Sequence, residues 1–372
     1  MSGTSSDHIP LVDLHAQYAA IAGDIDPAMR AVMARGDFVT GRAVREFEEA
    51  FAIFCQLPTV IGVGNGTDAL ELVLEALGVG PGDEVLVPTM TFAATAEAVV
   101  RCGARPVFVD CNPETLNLSP EGAAASITER TRAIIPVHLH GQPADLDACS
   151  RMARDRGLHL IEDAAQAHGA RWGDRPVGSY GVATTFSFYP GKNLGAYGDA
   201  GAVATKDRAL AERIRQLANH GRSGKYEHAI VGRNSRLDTL QAAVLRAKLS
   251  HLSDWNTRRR ALAHRYHDRL RGILEPVREA PKAHSVYHIA AFLVEDRDAI
   301  RDRLRTVGIE TGVHYPIPLH RQPAFAEFVD PHAALPNAER AAARLLSLPL
   351  YPELSEAQQD RVIHAVRDAL GK

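Results

Sequence analysis

Short apolar runs alternate with helical patterns between residues 59 and 205, and no other feature constrains the fold as strongly. Thr59–Val63, Glu84–Pro88, Pro106–Asp110, Ala133–Val137, His159–Glu162, Ala183–Ser187 and Gly201–Thr205 read as strands. Thr67–Leu77 and Ala93–Cys102 read as helices between them. The strand runs lack polar alternation, as strands covered on both faces do. Strands and helices in alternation call for a mostly parallel sheet with crossover helices, an α/β fold. The last two runs lie close enough in sequence to pair as a hairpin-like unit.

The pattern changes after Asp207. Helical periodicity dominates to about Arg271, and Arg258-Arg259-Arg260 reads as the solvated face of a helix over Trp255–Arg271. Val286–Val294 alternates like a half-exposed antiparallel strand. Asp298–Val307, Glu339–Ser347 and Ser355–Leu370 read as helices. The expectation is a large domain over residues 1–249 and a smaller α+β domain over 250–372. The N-terminal arm, to about residue 20, could pack on either.

The strand end at Leu160-Ile-Glu-Asp163 delivers an acid, and the next strand leads to one lysine in Ser187-Phe-Tyr-Pro-Gly-Lys192. An acid and a lone lysine at strand ends suit pyridoxal phosphate. The lysine can form the Schiff base, and Asp163 can hold the pyridinium proton that makes the ring an electron sink. Alone, Asp163 could simply cap a helix over Ala164–Ala170, and Lys192 could be a solvated charge. Gly62-Val-Gly-Asn-Gly-Thr67 sits where a strand gives way to a helix, where backbone N–H groups can approach an anion. A dinucleotide fingerprint would need glycine where Thr67 stands, so the loop suits a single phosphate. A nicotinamide dehydrogenase is disfavoured on the same ground.

Net charge is −3, so neither nucleic acid nor an anionic membrane is an evident partner. Met1–His8 lacks the basic and apolar regions of a signal peptide, and no run of 18 apolar residues exists. Cys55, Cys102, Cys111 and Cys149 lie far apart, as incidental thiols in a reducing compartment would. A cytoplasmic location is expected. His138 and His140 are read as alternate residues of a strand sharing one face, but no third metal ligand accompanies them.

Four motifs in order give the chain a specific resemblance. They are Gly66-Thr-Asp-Ala-Leu70, Glu162-Asp-Ala-Ala-Gln-Ala-His-Gly-Ala170, Ser187-Phe-Tyr-Pro-Gly-Lys192 and Asn234-Ser-Arg-Leu-Asp-Thr-Leu-Gln-Ala-Ala243. Together they resemble the DegT/DnrJ/EryC1/StrS family of sugar aminotransferases over nearly the whole chain. The resemblance implies an aspartate-aminotransferase-like pyridoxal-phosphate fold of type I, and a homodimer with shared active sites. It implies Lys192 as the Schiff-base lysine and proton shuttle, Asp163 on the pyridinium nitrogen and Gln166 on the ring oxygen. It implies Phe92 stacked on the ring, with a core aromatic as the alternative. Gly66, Thr67 and Ser187 would hold the phosphate, with Asn234 reaching it from the neighbouring subunit; a helix cap is the rival reading of Asn234.

One branch of the family carries histidine in place of the lysine and acts as a dehydratase; Lys192 favours transamination. Many relatives read His-Leu-Tyr-Gly where this chain reads His138-Leu-His-Gly141, so His140 is expected near the sugar. His314, Tyr315 and His320 are expected near the sugar or its diphosphate. Arg236 is a candidate diphosphate partner, with a surface ion pair as its alternative. The resemblance implies that glutamate donates its amino group to a keto sugar linked to a nucleotide. Residues 65–70, 220–228 and 313–322 look more like members acting at C3. A dTDP-linked 3-keto-6-deoxyhexose is favoured, with a UDP-linked 3-keto-hexuronate or a 4-keto sugar as competitors. A non-enzymatic regulator that binds the cofactor is the remaining alternative.

Overall fold

The computed structural model describes residues 8–330 and 334–372. The stretch before His8, on which the signal-peptide reading rests, lies outside them. Among the described residues, the largest sheet has seven strands. Their spatial order is Thr59–Val63, Gly201–Thr205, Ala183–Ser187, His159–Asp163, Thr131–Ile134, Glu84–Pro88 and Arg105–Val109. Only Gly201–Thr205 runs against the rest, pairing antiparallel with both of its neighbours. It forms the expected unit with Ala183–Ser187. The other pairings are parallel, which aligns the carboxyl ends of six strands along one edge.

Both faces of this sheet are covered. One apolar cluster holds Phe47, Phe51, Phe186 and Phe188; another holds Leu72, Leu74, Val99 and Ile214. Strands buried on both sides have no polar positions to show, which is why the runs were readable. Sites in such sheets form at the carboxyl edge, where the strand-to-helix turns gather. Gly64–Thr67, Thr89–Thr95, Asp163–Gln166 and Ser187–Lys192 all leave strands at that edge.

A second sheet joins Glu275–Pro276, Ala290–Leu293 and Leu345–Leu348, all antiparallel. Helices Leu252–Arg269, Arg297–Thr306 and Glu356–Ala369 contribute Tyr266, Leu304 and Ile363 to the core around Phe292. The N-terminal arm touches both regions. Ile9 belongs to this core and bridges to Ile309, while helix Leu14–Arg35 packs on helix Thr239–Leu249.

Four expectations need correction. Ala290–Leu293 is a short strand buried throughout, because Leu345–Leu348 covers its edge and helices cover its face. Helix Glu339–Ser347 is instead helix Pro336–Arg344 followed by strand Leu345–Leu348; a short apolar run has no periodicity of its own to exclude either state. Within the basic run, Arg259 is buried and donates to the Leu350 carbonyl at 2.9 Å. His138 and His140 are not on a strand. Leu139–Gly141 is a tight turn with His140 at φ 60°, so the two rings share no face.

Candidate active site

Glu162 and Asp163 end one strand, and successive strand residues point to opposite faces. Glu162 is fully buried and accepts N–H bonds from Gly178, Tyr180 and Gly181 at 2.8, 3.0 and 2.8 Å. His138 Nε2 lies 3.3 Å from it. The Ala144 N–H donates to His138 Nδ1, so the proton sits on Nε2 and faces the carboxylate. Burial pushes the Glu162 carboxyl up, but His138 and the N–H groups outweigh it and hold the acid below its ordinary range. Glu162 is therefore spent on the fold.

Asp163 is left with fewer donors. Thr95 Oγ1 donates to Oδ2 at 2.9 Å and the Ala165 N–H to Oδ1 at 3.1 Å. Burial pushes its pKa up against these two bonds and the charge of Lys192. No helix follows at Ala164–Ala170, so the cap reading falls away. Desolvation brings the Lys192 amine down to about 8, although Asp163 pulls the other way. The acid and the amine are thus close enough to feel each other.

The lysine loop is held from both sides. Gly195 packs so tightly that a Cβ would lie 2.2 Å from the Pro190 carbonyl oxygen. The Gly195 carbonyl accepts from Lys248 Nζ at 2.9 Å, and the same buried ammonium donates to Gln17 Oε1 at 2.8 Å. Asn193 donates through Nδ2 to Asn256 Oδ1 and the Val286 carbonyl, at 2.9 and 3.0 Å. With the amide so oriented, its oxygen accepts from His288 Nδ1–H at 3.1 Å. Thr95, Asn193, Lys248 and His288 carry no motif of their own, and the sequence reading missed all four. Only the position of Asn193 beside Lys192 could have drawn attention to it.

Helix Gly66–Ala76 begins beside this loop. Asn65 caps it, accepting the Asp68 N–H at 2.8 Å, and the first N–H groups have no acceptor within the helix. A Cβ on Gly66 would lie 2.7 Å from Ser187 Cβ, so the helix start packs directly beside Ser187. Ser235 Oγ accepts the Gly64 N–H at 3.0 Å. Asn234 and Arg236 flank it: Asn234 is exposed, and Arg236 donates to Asn219 Oδ1 at 2.9 Å rather than to a carboxylate. The next helix starts at Thr239 behind Asp238, so Asn234 caps nothing.

Phe92 is 57% exposed, which sets aside a core role. Its ring centroid lies 5.9 Å from that of Tyr315. The Tyr315 hydroxyl accepts from Gln166 Nε2 at 3.1 Å. Gln166 Oε1 accepts the His140 N–H at 2.6 Å. His314 Nδ1 lies 2.9 Å from Ser347 Oγ. His320 is buried, with Thr89 Oγ1 on Nδ1 at 2.7 Å and Glu339 on Nε2 at 3.0 Å. Both of its ring nitrogens are used inside the protein, so it braces the wall rather than facing the cleft. His140 is also turned inward, with 4% exposure.

An amine, a buried acid, an exposed aromatic face and an anion-seeking helix start match the four parts of pyridoxal phosphate: aldehyde, ring nitrogen, ring face and phosphate. The fold and these groups define a type I aminotransferase frame. Residues 19–367 match the DegT/DnrJ/EryC1/StrS aminotransferase family, and the chain belongs to it. It is 46% identical over 370 residues to the dTDP-3-amino-3,4,6-trideoxy-alpha-D-glucose transaminase of Streptomyces venezuelae, covering 99% of this chain and 97% of that protein. It is 49% identical over 362 residues to the erythromycin biosynthesis sensory transduction protein EryC1 of Saccharopolyspora erythraea, covering 96% and 99%. The crystal structure of S. venezuelae DesV in complex with a ketimine intermediate superimposes with a TM-score of 0.96, at 46% identity, over 99% of this chain and 100% of that one.

Proposed function

We propose that this protein is a pyridoxal-phosphate-dependent aminotransferase that moves the amino group of glutamate to the C3 keto group of a nucleotide-linked sugar. A dTDP-linked 3-keto-6-deoxyhexose is the favoured acceptor. The observation that carries this reading is the Lys192 amine, lowered to about 8, beside the buried Asp163. The name of the S. venezuelae transaminase supports the sugar class and the C3 position.

When bound, the cofactor supplies an aldehyde that carries the amino group and a ring that takes up an electron pair. The chain's residues do the rest. Asp163 keeps a negative charge at the ring nitrogen. Gly66, Thr67 and Ser187 would hold the phosphate, and Phe92 would cover one ring face. Gln166 has one Nε2 hydrogen on Tyr315 and the other free for the ring oxygen. Lys192 takes a proton from the donor carbon and returns one to the acceptor. A pKa of about 8 leaves part of the amine neutral near physiological pH, as a general base requires. Glutamate leaves as 2-oxoglutarate, and the sugar leaves with an amino group at C3.

A homodimer completes the site, with Asn234 and Arg236 serving the partner's phosphate and diphosphate. Tyr18, Met33, Phe38 and Val39, exposed on and just after the first helix, support such a contact. The protein works in the cytoplasm; among the described residues no helix is long and apolar enough to cross a membrane.

The test is to load the protein with pyridoxal phosphate and add glutamate, then the keto sugar. Glutamate should bleach the visible band, the sugar should restore it, and the product should carry nitrogen at C3. Cofactor uptake with no response to glutamate would support the regulator instead. Nitrogen at C4 would overturn the position. Mixing Lys192→Ala and Asn234→Ala subunits should restore activity if the sites are shared, and no recovery would refute sharing.

A further inference from the structure

His140 bonds to three residues inside the protein and is only 4% exposed. Its N–H donates to Gln166 Oε1 at 2.6 Å. Its carbonyl accepts the Ile289 N–H at 3.3 Å. Its Nε2 lies 2.9 Å from the His314 carbonyl oxygen, and a carbonyl can only accept, so Nε2 carries the proton. Nδ1 is buried without a hydrogen-bond partner among the described residues.

The consequences reach the cleft through other residues. With Oε1 occupied by His140, Gln166 must turn its Nε2 outward, and one of those hydrogens goes to the Tyr315 hydroxyl. The ring meanwhile holds the backbone directly before Tyr315. Tyr315 in turn stands beside Phe92. The turn itself is fixed: the Val286 N–H donates to the Gly141 carbonyl at 3.0 Å, and a Cβ on Gly141 would lie 2.7 Å from the His288 nitrogen. Burial also keeps the ring uncharged, with a pKa of about 4, so the donor at Nε2 does not change over the working range.

We propose that His140 is a positioning residue: its ring clamps the His314–Tyr315 backbone, beside the Gln166 amide that its backbone N–H sets, and the ring does not contact the sugar. This reading departs from the expectation that His140 is a sugar ligand.

Two variants test it. His140→Phe keeps a flat ring and removes the donor. His140→Gln can place an amide N–H near the position of Nε2. A crystal structure of His140→Phe without cofactor should show the His314–Tyr315 segment displaced, with the Tyr315 hydroxyl moved away from a Gln166 amide that stays on the backbone N–H at 140; an unmoved segment would overturn the clamp. This arm is independent of the reaction proposed above.

The kinetic arm rests on that reaction. Glutamate reacts in the first half-reaction, before any sugar binds. A positioning residue should slow both half-reactions, each by about tenfold or more in His140→Phe, with most of the loss recovered in His140→Gln. A loss confined to the sugar half-reaction would make His140 a sugar ligand and refute the proposal. If His140→Phe does not fold, His140→Gln decides alone. Near-native rates in both half-reactions are expected of it, and a selective loss with the sugar would refute the proposal. Absence of any transfer in the unaltered protein would overturn the reaction, leaving the crystallographic arm to decide this point.

Discussion

Thr95→Val removes the side-chain hydrogen bond that Asp163 receives among the described residues, together with the 3.3 Å bond between the Thr95 and Thr91 hydroxyls. Valine keeps the shape of a threonine that is 1% exposed, and it removes the 2.9 Å donor to Oδ2. Among the described residues, Asp163 then keeps the Ala165 N–H alone. Hydrogen bonds to a charged group contribute about 1.5–3 kcal/mol, so the variant should lose roughly that much wherever Asp163 is ionised. Unfolding entropy of about 2.1 cal/mol/K per residue gives about 0.8 kcal/mol/K for 372 residues, and hence a Tm about 2–4 °C lower.

The sign with pH follows from the raised pKa of Asp163. A carboxyl whose folded pKa lies above its unfolded value gives stability that is present below the unfolded value. That stability is lost as pH rises through the folded value. Removing a donor to the ionised form raises the folded value further and deepens the loss at high pH. Below both values the acid is neutral in either protein, and only a neutral bond of about 0.5–1.5 kcal/mol is missing. Calorimetry of the cofactor-free proteins across this range should show the gap in Tm widening as pH rises. A gap of the same size throughout would mean Thr95 contributes packing alone, and no gap at all would mean the bond is not made. Cofactor affinity should fall in the same variant, because a carboxylate that protonates more readily holds a pyridinium less well.

Lys192→Ala should abolish amino transfer and the visible band while leaving the far-ultraviolet dichroism unchanged; surviving turnover would remove Lys192 from its assigned role. In the cofactor-free protein, Lys192 should react with amine-directed reagents with a midpoint near about 8, against 10.5 for an ordinary lysine, as read by peptide mass mapping. Because that folded pKa lies below the unfolded one, the buried charge costs stability below about 8 and the cost fades toward 10.5. Lys192→Met should therefore raise Tm at neutral pH, and the gain should vanish in strong base. Gly66→Ala would place a Cβ 2.7 Å from Ser187 Cβ and push the helix start away from Ser187, its proposed partner in holding the phosphate. Overpacking of this kind costs about 1–3 kcal/mol, so pyridoxal phosphate should bind at least about fivefold more weakly in equilibrium dialysis.

How much could be read from the chain depended on whether the relevant forces were local. Thr59–Val63, Glu84–Pro88, Ala183–Ser187 and Gly201–Thr205 match their strands residue for residue, since burial on both faces writes itself directly into composition. Leu345–Leu348 escapes a local reading because partners far away in sequence, Ala290–Leu293 and Gly312, make it a strand. The acid pair shows the same divide inside the site. Glu162 and Asp163 are chemically near-equivalent neighbours, and the motif alone marks the second as the working one. The structure supplies the physical reason. Three backbone N–H groups and His138 saturate Glu162, whereas Asp163 has one hydroxyl and one N–H. Thr95 lies 68 residues from Asp163, and Lys248 lies 53 from the loop carbonyl it holds. Neither pairing follows from any local rule, because each is set by how distant strands and helices close on the carboxyl edge of the sheet. An acid becomes available to a cofactor here by being under-satisfied. Since the donors that decide this come from elsewhere in the chain, moving the hydroxyl of Thr95 should shift the balance as surely as altering the acid itself.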